Sequence, residues 1–359
     1  MRIVVFPITP AQVHTSRNIT QMLESKGHQV KVIVREHDST LELLDAHNIE
    51  YAVCGKAGRS KYLKYAEALP QLVRAYIIAR KFKPDVLFGF GAPTSFISLL
   101  LRKPCFLLGD TDVKSMQTLF LTRNPFVKAI FTPLPFKLDL GGKHLRLNMY
   151  KELAYIHPNY FHPDSSIYEE LGISKDDKYV ILRFNAFDAV HDIGRRGFSL
   201  LNKYQLVREL EKYARVFISA EGSLPEDLEG FKLPIPYHRI HHALYYAQLL
   251  VCDTGTMATE AAILGTPSIH CSSAVGQFGN FIELEQKYDL IYCFREPHRA
   301  IQKALELIQQ PDLKEQWAKK RQRLLADKID VTQFMVWFIE NYPQSFEECR
   351  RSQAGTGNR

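Results

Sequence analysis

Short apolar runs alternate with amphipathic stretches along most of the chain. Residues 2–6 read as a buried strand, 12–26 as a helix stopped by Gly27, and 28–34 as a second strand. The rhythm continues with strands at 50–54, 85–90, 104–108 and 129–132, and helices at 41–47, 61–82 and 94–102. Pro70 falls inside 61–82 and predicts a kink or break there. Residues 155–165, Y-I-H-P-N-Y-F-H-P-D-S, interrupt the alternation with two prolines and several aromatics, as a hinge would. Strands at 179–183, 216–219, 249–252 and 290–294 then alternate with helices at 200–213, 241–246, 257–264, 299–309 and 313–325. Such alternation predicts an α/β fold of parallel sheets covered by helices on both faces. The expected domains are 1–160 and 161–330, followed by an apolar helix at 331–342 and a polar, frayed tail at 344–359. Val331, Phe334, Met335, Trp337 and Phe338 make that last helix too apolar to stand in water, so the first domain is expected to supply its groove.

The stretch 247–272 compresses strand, turn, helix, turn and strand into 26 residues. Asp253-Thr254-Gly255-Thr256 supplies the first turn, where Gly255 is free to take a positive φ, and Gly265-Thr266-Pro267 stops the helix. The first turn of such a helix has up to four backbone N–H groups without internal partners and about half a positive charge from the macrodipole. With hydroxyls at Thr254 and Thr256, this is a candidate phosphate seat, and Glu260 lies within reach of a ribose diol beyond it. An ordinary helix cap accounts for the same residues.

A length of 359 residues supports two cores, and 46% hydrophobic with 24% charged residues is an ordinary globular composition. A formal charge of +7 suits an anionic ligand or membrane surface but is too diffuse for a nucleic-acid binder, so no nucleic-acid partner is expected. Six scattered cysteines without metal spacing read as reduced thiols. No segment reaches the roughly 20 apolar residues of a membrane span. The opening M-R-I-V-V-F-P-I does not read as a signal peptide, and the expected location is the cytoplasm.

Other loops offer chemistry beside plainer readings. His14 follows the first strand and could act as a general base, although a histidine in a first helical turn is as readily a loop cap. The three-glycine dinucleotide fingerprint is missing from that loop. Asp110 and Asp112 follow the fifth strand and are alternative bases; two carboxylates are too few to claim a metal. Arg183, Asn185 and His191 follow the first strand of the second domain, where Arg183 suits a phosphate or a salt bridge. Glu221-Gly222-Ser223 forms a similar, less specific strand-end loop, and His241-His242, at a helix start, could pair with a ligand base or ribose but reads more readily as surface. The basic stretch 56–64 could touch an anionic membrane or be a solvated helix face.

The motifs P-x-x-V-H-x-x-R-N-I-x-x-x-L-x-x-x-G-H-x-V, F-x-P-D-V, N-Y-F-x-P and D-T-G-T-M-A-T-E-A-A-I-L-G-T-P resemble the family catalogued as domain of unknown function 354, over nearly the whole chain. That family resembles the GT-B glycosyltransferases and the non-hydrolysing UDP-N-acetylglucosamine 2-epimerases. The resemblance implies two Rossmann-like domains facing a cleft, with a terminal helix crossing back to the first. It implies a nucleotide-sugar on the second domain, with Thr254, Gly255 and Thr256 on the pyrophosphate, Glu260 on the ribose and Arg183 on a phosphate. The expected function is metal-independent transfer from a UDP-sugar, as co-substrate and without a further cofactor, to a sugar or lipid-linked acceptor in glycan or surface-polysaccharide synthesis. The epimerases place an acidic residue after the fourth strand, where this chain reads F-G-F-G-A-P-T-S. That leaves transfer ahead of epimerisation, with a non-catalytic nucleotide-binding module as a third reading. An enzyme of this kind could lie peripherally at the inner membrane face.

Overall fold

The computed structural model describes residues 1–56, 61–110, 116–184, 197–220 and 223–356, and only the backbone at 61–67, 116–117 and 354–356. The chain divides into two compact units, Met1–Tyr160 with Lys328–Arg359, and Phe161–Asp327. In chain order the first unit holds β1 (Arg2–Phe6), α1 (Pro10–Ser25), β2 (Gln29–Glu36), α2 (Thr40–Ala46), β3 (Tyr51–Lys56), α3 (Lys61–Phe82), β4 (Val86–Gly89), α4 (Ala92–Leu101), β5 (Cys105–Leu108), α5 (Met116–Arg123), β6 (Val127–Pro133), β7 (His144–Leu147) and α6 (Leu153–Ile156). The second holds α7 (Ile167–Glu170), β8 (Tyr179–Phe184), α8 (Leu200–Leu210), β9 (Arg215–Ala220), α9 (Ile240–Tyr246), β10 (Leu249–Cys252), α10 (Gly255–Leu264), β11 (Ser268–Cys271), α11 (Gly279–Gln286), β12 (Ile291–Phe294), α12 (Pro297–Ile308) and α13 (Leu313–Asp327). The chain then returns to the first unit with α14 (Val331–Glu340) and α15 (Gln344–Thr356).

Both sheets are parallel: seven strands ordered β3-β2-β1-β4-β5-β6-β7 in unit 1, and five ordered β12-β11-β10-β8-β9 in unit 2. Each unit is therefore a Rossmann-like α/β domain. Central strands β4, β5, β10 and β11 are buried at every residue, which is why they read as unbroken apolar runs, while edge strand β3 is half-exposed.

Three local expectations are revised. The helix α3 continues through Pro70, whose missing N–H removes one hydrogen bond without ending the helix. The edge strand β7, H-L-R-L, was not foreseen because four alternating residues resemble a loop in sequence. The polar tail is helical: Ser345 is buried with its hydroxyl donating to Phe338 O at 2.8 Å, and Gln353 Nε2 donates to Arg146 O at 2.8 Å. The groove for the apolar terminal helix lies in unit 1, as expected. Phe338 of α14 meets Phe106 of β5 and Phe131 of β6 at ring distances of 5.1 and 4.7 Å. All three rings are at most 1% exposed, and such burial contributes about 2–3 kcal/mol per side chain.

Candidate functional site

In unit 2 the chain leaves β8 for β9 on one side of the sheet and later adds β10 on the other, so the topology switches between β8 and β10. Ligands of open α/β sheets bind outside the strand ends at such a point. Arg183, near the end of β8, lies in register with Cys252, the last residue of β10, and Asp253 N–H donates to Arg183 O at 3.2 Å. The Arg183 guanidinium donates to Ser219 Oγ on β9 at 3.0 Å and is half-buried. The Arg183 backbone therefore adjoins the turn that opens α10, while its guanidinium is held toward β9.

That turn leaves the helix end open. Thr254 is the N-cap in extended geometry but makes no side-chain cap bond, and its Oγ1 is buried without a hydrogen-bond partner among the described residues. Gly255 is exposed and is already the first helical residue. The positive φ expected of it does not occur, because the turn is made by Asp253 and Thr254 in ordinary conformations and the left-handed residue is Gly265, at φ +82°. The first turn of α10 presents its backbone N–H groups beside exposed Gly255 and half-buried Thr256, the kind of helix end that can receive an anion. Gly197 closes one side: a Cβ there would lie 2.6 Å from Asp253 Cβ, so the chain approaches this closely only as glycine. Asn185 and His191 lie outside the described residues, on the segment that leaves at Phe184 and returns at Gly197.

Glu260 is 5% exposed, and its Oε1 is 3.1 Å from His241 Nε2. His241 is 1% exposed, which corrects its reading as a surface residue: α9 packs on α10 and turns it inward to the carboxylate. His242 accepts from Asp164 N–H at 3.1 Å and lies over Phe161. Sequence reasoning also passed over two groups beside the switch point. Lys203 of α8 is 5% exposed over the Phe184 ring; burial lowers its pKa, against the opposing charge of Asp253. His270, in register with Cys252, stacks on Phe281 at 4.7 Å, and burial pushes its imidazole down to about 4. A helical lysine and a histidine within an apolar strand carry no local signal; only the sheet register exposes them.

In unit 1 two of the three candidate bases, His14 and Asp110, have partners. His14 is 6% exposed in α1 and stacks on Tyr155 at 5.3 Å. Asp110 is ion-paired with Lys151. Burial disfavours the Lys151 charge, yet Asp110 and Glu152 outweigh it and raise its pKa above the usual lysine value. Asp112 lies outside the described residues. The turn after β4, Gly89-Phe90-Gly91-Ala92-Pro93, carries no carboxylate. Lys56, which opens the basic stretch, pairs with Glu36 at 2.5 Å; residues 57–60 and the side chains of 61–64 are outside the described residues. Among the described residues, no group of three or more His, Cys, Asp or Glu is placed to hold a metal, and no helix is long and apolar enough to cross a membrane.

Two Rossmann-like domains, with a terminal helix returned to the first, are the fold of the GT-B glycosyltransferases and the UDP-N-acetylglucosamine 2-epimerases. The chain itself belongs to the family described as "Protein of unknown function (DUF354)", whose model matches residues 4–336. No curated protein matches the sequence. Among solved structures it is similar to S. aureus MnaA with UDP, at 14% identity and a TM-score of 0.67 over 96% of this chain and 97% of that one. It is similar to the UDP-GlcNAc 2-epimerase of Neisseria meningitidis bound to UDP-GlcNAc, at 13% identity and 0.62 over 95% and 100%. It is also similar to the spinosyn rhamnosyltransferase SpnG complexed with spinosyn aglycone, at 12% and 0.62 over 95% and 100%. At these identities the likeness is one of fold.

Proposed function

We propose that the chain is a glycosyltransferase that takes its sugar from a nucleotide-sugar, a UDP-sugar in the first instance. The observation that carries this reading is the N-terminus of α10, where Thr254 makes no side-chain cap bond, at the switch point of the unit 2 sheet, with Arg183 on the adjoining strand β8. A diphosphate there meets backbone N–H groups, the Thr254 and Thr256 hydroxyls and one fixed cation. These donors stabilise the charge that develops as the diphosphate leaves, which is the electrostatic preorganisation that contributes most to such catalysis. Glu260, held by His241, takes the ribose, and Asn185 and His191 add donors from the loop after β8. Fold relatives solved with UDP, UDP-GlcNAc or thymidine diphosphate support a nucleotide as the ligand class.

In the proposed reaction an acceptor hydroxyl attacks the anomeric carbon, the bond from that carbon to the diphosphate oxygen breaks, and the hydroxyl proton passes to a base. His14 is the proposed base. Asp110 is a weaker candidate because its carboxylate is already bonded to Lys151. Transfer is favoured over epimerisation because the turn after β4 has no carboxylate to remove a proton from the sugar.

Calorimetric titration with UDP tests the donor site. Arg183→Gln is expected to weaken UDP binding by roughly 10- to 100-fold, the loss of one or two charge-assisted hydrogen bonds; unchanged affinity would remove the assignment. Incubation with UDP-N-acetylglucosamine alone tests the reaction class, since an epimer formed without acceptor would make the protein an isomerase.

A further inference from the structure

Three large apolar side chains stand in water one turn apart along α3: Leu69, Val73 and Ile77 are 64%, 48% and 46% exposed. Leu100, near the end of α4, and Leu119 of α5 are also exposed. The helix α3 packs on α4, and α4 on α5, so these residues belong to neighbouring helices of unit 1. An ordinary surface helix turns its single apolar stripe to the core. Here Ala75 and Ala79 already fill that inward role, fully buried, and the larger residues form a second stripe outside.

The charges around this face have one sign. Residues 68–103 contain Arg74, Arg80, Lys81, Lys83, Arg102 and Lys103 against a single acid, Asp85. The Asp85 carboxylate accepts from the Arg2 backbone N–H at 2.8 Å. Arg80, Lys83 and Lys103 join Tyr76, Leu100 and Leu101 around a hollow of about 330 Å³. The Arg80 guanidinium donates to the Tyr76 hydroxyl at 3.4 Å, which holds it beside the hollow.

We propose that this α3–α4–α5 face of unit 1 docks on an anionic lipid surface, with the hollow receiving a lipid phosphate. The exposed aliphatic side chains enter the boundary between headgroups and acyl chains, and the surrounding cations meet the anionic headgroups. A second copy of the chain fits the face less well. A two-fold contact would set this cationic patch against itself, with no row of acids to answer it. The surface is distinct from the nucleotide site of unit 2, so its test stands apart from that reading.

The full-length protein is sedimented with vesicles of phosphatidylcholine alone and of phosphatidylcholine mixed with phosphatidylglycerol. Binding to the anionic vesicles is expected, falling with added salt, with little binding to the neutral ones. The triple variant Arg80→Glu, Lys83→Glu, Lys103→Glu is expected to lower partitioning by roughly 100-fold or more, at about five-fold per lost charge. Val73→Gln with Ile77→Gln should weaken it independently. Circular dichroism and thermal unfolding establish that each variant is folded. Equal binding to both vesicle types, or unchanged binding by the folded triple variant, would overturn the proposal. So would a concentration-dependent dimer that Ile77→Gln dissolves, which would make the face a self-interface.

Discussion

The helices α1 and α10 both open at the carboxyl edge of a parallel sheet, and their N-termini are finished in opposite ways. In α1, Thr9 accepts from Gln12 N–H, Pro10 removes one of the donors that would need a partner, and Gln12 Oε1 accepts from Ile8 N–H. In α10 the N-cap Thr254 makes no side-chain cap bond, the first residue is an exposed glycine, and the Thr254 hydroxyl is buried without a partner among the described residues. A helix end satisfied from within has little left for a ligand, whereas one left open keeps its donors and its field. The contrast favours the proposed anion site at α10 over any at α1.

The largest expected effect concerns what holds α10 in place. Glu260→Ala leaves a buried His241 nitrogen without its partner and a cavity beside it, and should cost about 3 kcal/mol or more, read as a shift in the urea midpoint. Asp110→Asn in unit 1 should cost less, because Lys151 keeps Glu152 at 3.4 Å. Equal losses would mean that the unit 2 pair is no more deeply committed than the unit 1 pair.

The next effect is a pH dependence. The His270 pKa is lowered from 6.5 to about 4 in the folded chain, so above pH 6.5 both folded and unfolded forms are neutral and it contributes nothing. As pH falls through 6.5 the unfolded chain takes up the proton first, and stability drops until about pH 4, where the folded imidazole also titrates. The loss from this group is about 3 kcal/mol, from its shift of roughly 2.5 units. Replacing it, as in His270→Phe, should flatten that part of a stability–pH curve measured by denaturant titration. A curve unchanged by the substitution would place the acid sensitivity elsewhere.

The smallest effect bears directly on the two helix ends. Thr254→Asp offers α10 the carboxylate cap it lacks and should stabilise the protein by about 1 kcal/mol while weakening UDP binding. Thr9→Ala should destabilise it by about 1 kcal/mol and leave UDP binding as it was. If both substitutions changed stability alone, the difference between the two ends would have no bearing on ligands.

What the sequence disclosed followed the range of each interaction. The turn–helix–turn around α10 was legible because its signals are neighbours: an apolar run, D-T-G-T, eight good helix positions and a left-handed Gly265. The alternation that predicted two parallel sheets was equally local. The partners of the candidate groups were not legible. Glu260 finds His241 nineteen residues away, Asp110 finds Lys151 forty-one away, and His270 of β11 meets Phe281 of α11 eleven away. The burial of Glu260 and its bond to His241 depend on α9 lying against α10, which no pattern of nearby residues encodes.

The return of α14 to the first unit has a consequence for biosynthesis. Phe106 and Phe131 are sealed by Phe338, a residue made 207 positions after Phe131. At about 5–20 residues per second, the ribosome leaves that apolar patch uncovered for roughly 10–40 s while all of unit 2 is being translated. The first half to be synthesised is therefore the last to be completed, and during that interval it is a natural client for chaperones.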